Sequence, residues 1–214
     1  MKIIHFLLFG FLIKIFIDGF SNIENMKNIN NSLWIYENFY SISKFNKIKS
    51  YLSKLEFKND NRVTGRKTIC LPYKKHKLLY NIIYNNKKIS NFVKKYNNKK
   101  YKLKPSFPIE YRIYPNGSKG MNMHSDLEMF DPNCLEVVLT IENNSDSKFI
   151  WKSNNKLKKI KPKENTLVIV EPNGIVHGVS PVNNGFRTIL KFIIEFEGSK
   201  KLDSYYQQIN NCPL

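Results

Sequence analysis

The sequence predicts an α+β protein in which N-terminal helices support a jelly-roll core of about eight antiparallel strands. Three observations lead to this prediction. The 214 residues are 42% hydrophobic and 14% aromatic, which is enough for one folded domain and excludes a wholly disordered or collagen-like chain. Two stretches before residue 106 carry apolar residues at helical spacing. After Pro105 the pattern changes to short β-type runs separated by turn residues.

The N-terminal segment indicates the compartment. A mostly apolar run over residues 3–17, interrupted by His5 and Lys14, follows a basic start. The run is shorter than the roughly 20 residues of a transmembrane helix, but it is typical of the apolar centre of a secretory signal. We therefore predict a signal peptide or an N-terminal membrane anchor over residues 1–21, with an N-terminal core helix as the alternative. A signal or anchor would place the protein in the secretory pathway, in the endoplasmic reticulum lumen or membrane.

The next two regions are predicted to be a linker and a set of supporting helices. Residues 22–33 are polar and Asn-rich, as linkers are, and residues 34–106 form the helical support region. Within it, residues 34–57 and 76–96 predict two amphipathic helices with lysines on their remaining faces. The apolar positions are Ile48, Leu52 and Leu55 in the first helix and Leu78, Leu79, Ile82, Ile83, Ile89 and Phe92 in the second. The lysine faces are most simply solvated, and a phosphate-binding stripe is the alternative.

Residues 107–197 predict the β core. Its eight strands are Ile109 to Tyr114, Met121 to Asp126, Leu135 to Glu142, Phe149 to Lys152, Leu157 to Ile160, Thr166 to Glu171, Val176 to Val179 and Phe186 to Phe196. Asn154-Asn155 and Asn184-Gly185 predict hairpin turns between strands. Residues 198–214 are a predicted C-terminal tail, either a short helix or a loose segment.

Charge and cysteine content leave the partner and the redox state open. Lys and Arg number 35 against 17 Asp and Glu, a net charge of +18, which suits nucleic acid or lipid headgroups. A general bias towards Asn and Lys explains the same charge without a partner. Cys70, Cys134 and Cys212 are an odd number at wide spacing, so neither a disulfide framework nor a structural zinc site is indicated. A single bridge remains open.

Two short motifs carry the predicted chemistry. His124 and Asp126 are two residues apart in a predicted strand, so their side chains point to the same face. His177 begins another predicted strand, which a closed or sandwiched sheet can bring beside them. Two imidazoles and one carboxylate on one face leave half of an octahedron open, an arrangement typical of non-haem Fe(II) oxygenases. The sequence therefore predicts a metal site at His124, Asp126 and His177.

Arg187 and Tyr114 are the predicted anion-binding residues. A guanidinium entering the core from the strand after His177 can bind one carboxylate of a dicarboxylic acid whose other end chelates the metal. The Tyr114 hydroxyl can add a hydrogen bond. A strict two-residue turn at Asn184-Gly185 would pair Val182 with Arg187 and turn His177 away, so convergence of His177 and Arg187 predicts a bulge or an odd-length loop.

From about Phe107 to Phe196 the chain resembles the Fe(II)- and 2-oxoglutarate-dependent dioxygenases, whose core is a double-stranded β-helix. The resemblance lies in four short segments. They are Tyr114-Pro115-Asn116-Gly117, His124-Ser125-Asp126, His177-Gly178-Val179-Ser180-Pro181-Val182 and Gly185-Phe186-Arg187. The last two look most like the prolyl 4-hydroxylase branch, although that branch commonly has Lys where this chain has Arg187.

The resemblance implies roles, cofactors and a reaction. His124, Asp126 and His177 would bind Fe(II), while Arg187, assisted by Tyr114, would bind 2-oxoglutarate. The reaction would use O₂ to hydroxylate an unactivated C–H bond, with ascorbate as reductant, and a prolyl residue in a protein or peptide is the first choice of substrate. The alternatives are oxidative demethylation of alkylated nucleic acid and a non-catalytic basic binding module. Membrane association through residues 3–17 is a further expectation.

Four residues before the second predicted helix are candidates for a substrate groove. Asn61, Arg62, Arg66 and Tyr73 lie where substrate loops of this family often form. A purely structural role is an equally weighted alternative for each of them.

Overall fold

The computed structural model describes residues 26–57, 65–210 and 212. The predicted signal or anchor over residues 1–21 lies outside these residues, as do Asn61 and Arg62. Four helices are present in the described part: α1 (Ile42–Leu52), α2 (Lys77–Tyr84), α3 (Lys87–Asn97) and α4 (Asp203–Asn210). No helix in the described ranges is long and apolar enough to cross a membrane.

The strands form two antiparallel sheets that face each other, with a small third pair. The strands are β1 (Met26–Asn30), β2 (Leu33–Tyr36), β3 (Lys67–Leu71), β4 (Ile109–Tyr114), β5 (Met121–His124), β6 (Phe130–Asp131), β7 (Leu135–Asn143), β8 (Phe149–Ser153), β9 (Lys156–Ile160), β10 (Leu167–Val170), β11 (His177–Val179), β12 (Arg187–Ile194) and β13 (Lys200–Lys201). The major sheet has seven strands in the order β1-β2-β10-β7-β12-β4-β3, and the minor sheet has four in the order β5-β11-β8-β9. This is the predicted α+β jelly roll.

The major sheet has an apolar face towards the helices and an inner face towards the minor sheet that carries both charged and apolar side chains. On β12, Leu190 and Phe192 are buried in the core that contains the helices, while Arg187, Ile189 and Lys191 line the cavity between the sheets. Successive side chains of a strand point to opposite faces, so one strand serves both purposes. The charged residues of the inner face therefore lie inside the fold rather than on its surface.

The predicted support helices exist but are shorter and differently divided. The second is two helices, α2 and α3, because Asn86 leaves the helical conformation and caps α3 through its side chain. The first begins only at Ile42, with Ser41 as its N-cap. Both have buried apolar faces that pack on the major sheet, as their spacing predicted.

Residues 26–36 correct two sequence predictions. Part of the predicted linker forms β1, and the start of the predicted first helix is β2, which pairs with β1 and β10. Leu33, Trp34 and Ile35 are all buried, because β2 is covered on both faces. A short continuous apolar run of this kind fits a buried strand and a helix equally well by periodicity alone.

The segment after His177 corrects the predicted hairpin. Strands β11 and β12 belong to different sheets, so Asn184-Gly185 does not join a hairpin and Val182 does not pair with Arg187. The Val182 backbone instead exchanges hydrogen bonds with Gly117 and Ser118. His177 and Arg187 converge because the two sheets face each other, so the register condition of a shared hairpin does not apply to them. Asn154-Asn155, by contrast, is the turn of the β8–β9 hairpin.

One disulfide joins distant parts of the chain. Cys70 in β3 is bonded to Cys212, which follows α4, at a sequence separation of 142 residues. Cys134 is the free and buried cysteine of the described part. The single disulfide that the sequence left open is therefore present, and it attaches the C-terminal segment to an edge strand of the major sheet. This segment contains the short helix α4.

Candidate active site

Three predicted residues meet at one end of the cavity between the sheets. His124 at the end of β5 pairs in register with His177 at the start of β11. Asp126 lies between their rings: His124 Nε2 is 3.4 Å from one carboxylate oxygen and His177 Nε2 is 3.4 Å from the other. The ligand atoms of all three residues lie within 4.8 Å of one another. The structure therefore brings together the residues proposed as metal ligands.

Backbone carbonyls fix the orientation of both imidazole rings. His124 Nδ1 is 2.7 Å from the carbonyl oxygen of Asn122, and His177 Nδ1 is 3.1 Å from that of Ile175. A carbonyl can only accept a hydrogen bond, so Nδ1 carries the donated proton and Nε2 keeps its lone pair in the neutral ring. Both lone pairs are then directed towards the space beside Asp126. Outer hydrogen bonds of this type commonly orient histidines that bind metals.

The pKa shifts of the three groups favour an ionised Asp126 and a neutral His177, which is the more buried of the two histidines. Although burial alone would raise the pKa of Asp126, the hydrogen bond that His124 donates in its protonated form and the charges of Lys191, His177 and His124 lower it to about 2. Burial lowers the pKa of His177, and Asp126 only partly opposes this effect. The hydrogen bond to Asp126 raises the pKa of the more exposed His124.

These donors fit a divalent transition metal. Two ligand atoms that each lie about 2.1 Å from one ion on perpendicular axes are about 3 Å apart, close to the observed separations of 3.4 Å. Two imidazoles and one carboxylate suit Fe(II) and leave coordination positions for further ligands. His124, Asp126 and His177 are the residues that could hold such an ion.

Arg187 and Tyr114 lie in the same cavity, in neighbouring strands and directly opposite each other. Arg187 is 3% exposed, and its Nε has no hydrogen-bond partner among the described residues. Burial lowers the pKa of this guanidinium, with Tyr114 as the neighbour that raises it. A buried cation without a carboxylate partner is costly, which favours a role in binding an anion.

Further charged residues of the inner face were missed from the sequence. Although burial alone would raise the pKa of the Tyr114 phenol, the guanidinium groups of Arg112, Arg66 and Arg187 lower it. Arg112 is paired with Glu110 two positions before it on β4. Arg66 was considered only as a groove residue, yet its charge acts on Tyr114. Strand alternation from Tyr114 would have placed Arg112 on the same face. The position of Arg66 could not be predicted in this way, because it lies in another segment whose pairing with β4 the sequence does not reveal.

The second missed pair is Lys191 and Glu136. Their charged atoms are 2.5 Å apart, and both side chains line the cavity that contains Asp126, His177 and Arg187. Lys191 is four residues after Arg187, so strand alternation predicts the same face. Its pairing with Glu136 depends on the register between β12 and β7, which the sequence does not reveal.

Exposed apolar side chains adjoin the three candidate ligands. Met123 is 39% exposed, Leu127 57% and Val176 39%, and each is a direct chain neighbour of His124, Asp126 or His177. Large apolar residues in contact with water are informative when they cluster at a site. The surroundings of the candidate metal site are therefore partly apolar.

Comparison of the structure with known proteins identifies the fold, whereas comparison of the sequence identifies no family. No protein-family model matches the chain, and no curated protein matches it. Solved structures do. HygX from Streptomyces hygroscopicus, with nickel and 2-oxoglutarate bound, has a TM-score of 0.60 at 8% identity, over 78% of this chain and 84% of that chain.

Two hydroxylases are also similar in structure. A prolyl hydroxylase from Trichoplax adhaerens, in complex with a peptide fragment of the hypoxia inducible factor oxygen degradation domain, has a TM-score of 0.56 at 18% identity, over 78% of this chain and 84% of that chain. A Pseudomonas putida prolyl-4-hydroxylase has a TM-score of 0.60 at 14% identity, over 78% and 94%. The chain therefore has the double-stranded β-helix fold of the 2-oxoglutarate and Fe(II) oxygenases.

Proposed function

We propose that the protein is an Fe(II)- and 2-oxoglutarate-dependent dioxygenase that hydroxylates an unactivated C–H bond. The observation that carries the proposal is the convergence of two histidine Nε2 atoms on the two oxygens of Asp126. His124, Asp126 and His177 would hold the metal. Arg187 would bind the far carboxylate of 2-oxoglutarate, with Tyr114 beside it. The oxygenase fold of the chain supports this assignment.

The metal and its cosubstrate would supply activation of O₂, with 2-oxoglutarate oxidised to succinate and CO₂ as the substrate C–H bond is hydroxylated. The contribution of the chain is orientation and shielding. Arg187 provides two parallel N–H donors for one carboxylate, which fixes the direction of the dicarboxylate in the cavity. Val138, Phe149, Val168 and Val170 line the same cavity with apolar groups, which limits access of water.

A prolyl residue in a protein or peptide is the proposed substrate. The segment from His177 to Arg187 is similar to the prolyl 4-hydroxylase pattern, and two similar structures are named as prolyl hydroxylases. The exposed apolar residues Met123, Leu127 and Val176 around the site suit an apolar pyrrolidine ring. Ascorbate is the expected reductant in the assay.

Oxidative demethylation of alkylated nucleic acid is the second candidate. The net charge of +18 favours it, together with exposed Lys156, Lys158 and Lys159 on β9, in the minor sheet that also contains His177. The same lysines also protect an edge strand from pairing with other chains. A non-catalytic basic module would explain the charge but not the converging ligands.

The disulfide supports a secretory location for the proposed enzyme. Bridges such as Cys70–Cys212 form and persist in oxidising compartments. This agrees with the signal or anchor predicted over residues 1–21 and supports the proposal that the reaction takes place in the endoplasmic reticulum.

Turnover tests the proposal. The purified protein, supplied with Fe(II), 2-oxoglutarate and ascorbate, should form succinate in the presence of a proline-rich peptide, and mass spectrometry should find a gain of one oxygen on that peptide. His124→Ala should abolish both signals. Demethylation of an alkylated oligonucleotide in place of peptide hydroxylation would favour the second candidate, and the absence of turnover with metal-loaded protein on either substrate pool would favour the binding module.

A further inference from the structure

We propose that the helical layer of the protein binds the surface of an anionic lipid bilayer through a groove between α1 and α2. We call this surface the α1–α2 groove. The residues on which the proposal depends all line the groove, and they are Ile42, Lys47, Tyr51, Lys54, Leu78 and Ile82. The inference concerns a surface separate from the candidate active site, so it does not depend on the proposed activity.

Apolar side chains of the α1–α2 groove are in contact with water. Ile42, the first residue of α1, is 80% exposed, and Leu78, near the start of α2, is 61% exposed. Tyr51 and Ile82 line the same groove and are partly buried against the core. Large apolar side chains that cluster on a protein surface commonly mark a site of interaction with another molecule or with a membrane.

The packing of the two helices does not require the exposed apolar residues. Helix α1 is held on the major sheet by Phe45, Ile48 and Leu52, which are buried. Helix α2 is held there by Leu79 and Ile83. These side chains already give each helix the buried face that an amphipathic helix needs. The two exposed residues lie outside those faces, so a binding role explains them better than a role in the fold.

Lysines line the groove, and no acidic residue does so in the part of the chain that the structure describes. Lys47 and Lys54 are exposed, and neither forms an ion pair with a carboxylate of the described residues. Lys49 in the same helix does pair, with Glu164. Residues 42–54 contain four lysines and residues 74–95 contain seven, and neither stretch contains an acidic residue. The groove therefore carries positive charge that its own lining does not offset.

An anionic bilayer matches both properties of the groove. Lysines gain energy near acidic headgroups, while apolar side chains beside them enter the boundary between headgroups and acyl chains. Nucleic acid would also attract the lysines, but its phosphates offer nothing to Ile42 and Leu78. Leu157 on β9 is 69% exposed among lysines, yet it is a single apolar residue on an edge strand. Isolated exposed residues of this kind are normal on protein surfaces.

The position of the groove leaves the candidate active site free. Helices α1 and α2 pack on the face of the major sheet that is turned away from the minor sheet. The minor sheet contains His124 and His177. A bilayer in contact with the groove would therefore lie on the opposite side of the molecule from these histidines. The minor sheet would stay in the aqueous phase when the protein is bound to lipid.

Vesicle binding by the full-length protein tests the proposal. The probes are vesicles of phosphatidylcholine alone and of phosphatidylcholine with about 30% phosphatidylserine. The variants are Ile42→Ser/Leu78→Ser, which removes the exposed apolar groups, and Lys47→Gln/Lys54→Gln, which removes two charges. The wild type should prefer the anionic vesicles, and each double variant should bind them at least about tenfold more weakly. Circular dichroism would establish that each protein is folded.

Matched controls remove the same chemical groups from the minor sheet. Leu157→Ser removes an equally exposed apolar side chain, and Lys156→Gln/Lys158→Gln makes the same change in net charge. Both controls should bind the anionic vesicles within about twofold of the wild type, because electrostatic effects fall off within about 10 Å at moderate salt. Equal losses in the controls and in the groove variants would show attraction by net charge alone and would overturn the proposal.

Chemical labelling locates the contact independently of the variants. Acetylation of the wild type with and without anionic vesicles, read by peptide mass spectrometry, should show Lys47 and Lys54 shielded and Lys156 and Lys158 still reactive. This readout holds even if residues 3–17 also bind lipid. Shielding of β9 instead, no shielding of either pair, or lysine-dependent binding of a duplex oligonucleotide without vesicle binding would overturn the proposal. Succinate formation is not part of the test, so its absence would count against the proposed function alone.

Discussion

Arg187 and Arg112 are both buried guanidinium groups in the same cavity, but their surroundings differ. Arg112 pairs with the Glu110 carboxylate, whereas Arg187 has no carboxylate partner among the described residues. The Nε atom of each guanidinium lacks a hydrogen-bond partner there, so the difference lies in the carboxylate alone. A paired charge is difficult to remove, because its partner is left buried alone. A charge without a partner weakens the folded state until an anion binds, so the two residues should respond oppositely to the same substitution.

Arg187→Met should weaken 2-oxoglutarate binding by about thirtyfold, since it removes charge-assisted hydrogen bonds worth about 2 kcal/mol. It should leave the free energy of unfolding of the ligand-free protein within about 0.5 kcal/mol of the wild type or raise it, because a desolvated charge is removed. Arg112→Met should lower the free energy of unfolding by about 3 kcal/mol. Denaturant titrations measure the two free energies of unfolding. Equal destabilisation by Arg187→Met and Arg112→Met would contradict the expected difference between the two arginines.

Asp126 should contribute to the acid stability of the metal-free protein. Its pKa is lowered to about 2, against about 3.9 in an unfolded chain. A lowered folded-state pKa stabilises the protein above the unfolded value, and this contribution is lost as the pH falls from about 4 to about 2. In the presence of a chelator, the free energy of unfolding of the wild type should therefore fall by up to about 2 kcal/mol more over this pH range than that of Asp126→Asn. Parallel pH profiles for the two proteins would refute the assignment.

At the scale of elements, the sequence predicted the strands of the core closely and the N-terminal strand β2 wrongly. Strand β4 follows the predicted range Ile109 to Tyr114, and the other seven core strands exist within one or two residues of their predicted ends. Strand β2 was predicted as helix because its apolar run is covered on both faces. The predicted hairpin at Asn184-Gly185 was wrong, because the strands on either side of these residues belong to different sheets.

The disulfide makes a testable contribution at the same scale. It links β3 to the segment after α4 across 142 residues of chain, so it restricts the unfolded state strongly. Cys70→Ser/Cys212→Ser should lower the free energy of unfolding by about 2–4 kcal/mol. A reductant should destabilise the wild type by a similar amount and have no effect on the double variant. Cys134→Ser, which removes no bridge, serves as the control for cysteine loss, and equal sensitivity to reductant in the double variant would contradict the pairing.

At the scale of the whole molecule, the candidate site exists only where the two sheets face each other. The minor sheet and the loop after β5 supply His124, Asp126 and His177, while the major sheet supplies Arg187, Tyr114 and the pair of Lys191 and Glu136. The motif residues were predictable because their spacing and chemical types are informative within single strands. Lys191 and Glu136 were not, because their contact requires the register of two strands that lie far apart in sequence.

The central claim is that His124, Asp126 and His177 together bind one ferrous ion. The most direct test is anaerobic calorimetric titration of Fe(II) into metal-free wild type, Asp126→Ala and the neighbouring control Ser125→Ala. We expect one ion per chain in the wild type and in Ser125→Ala, with affinity reduced at least about a hundredfold by Asp126→Ala. Binding of Fe(II) by Asp126→Ala with unchanged stoichiometry and affinity would contradict it.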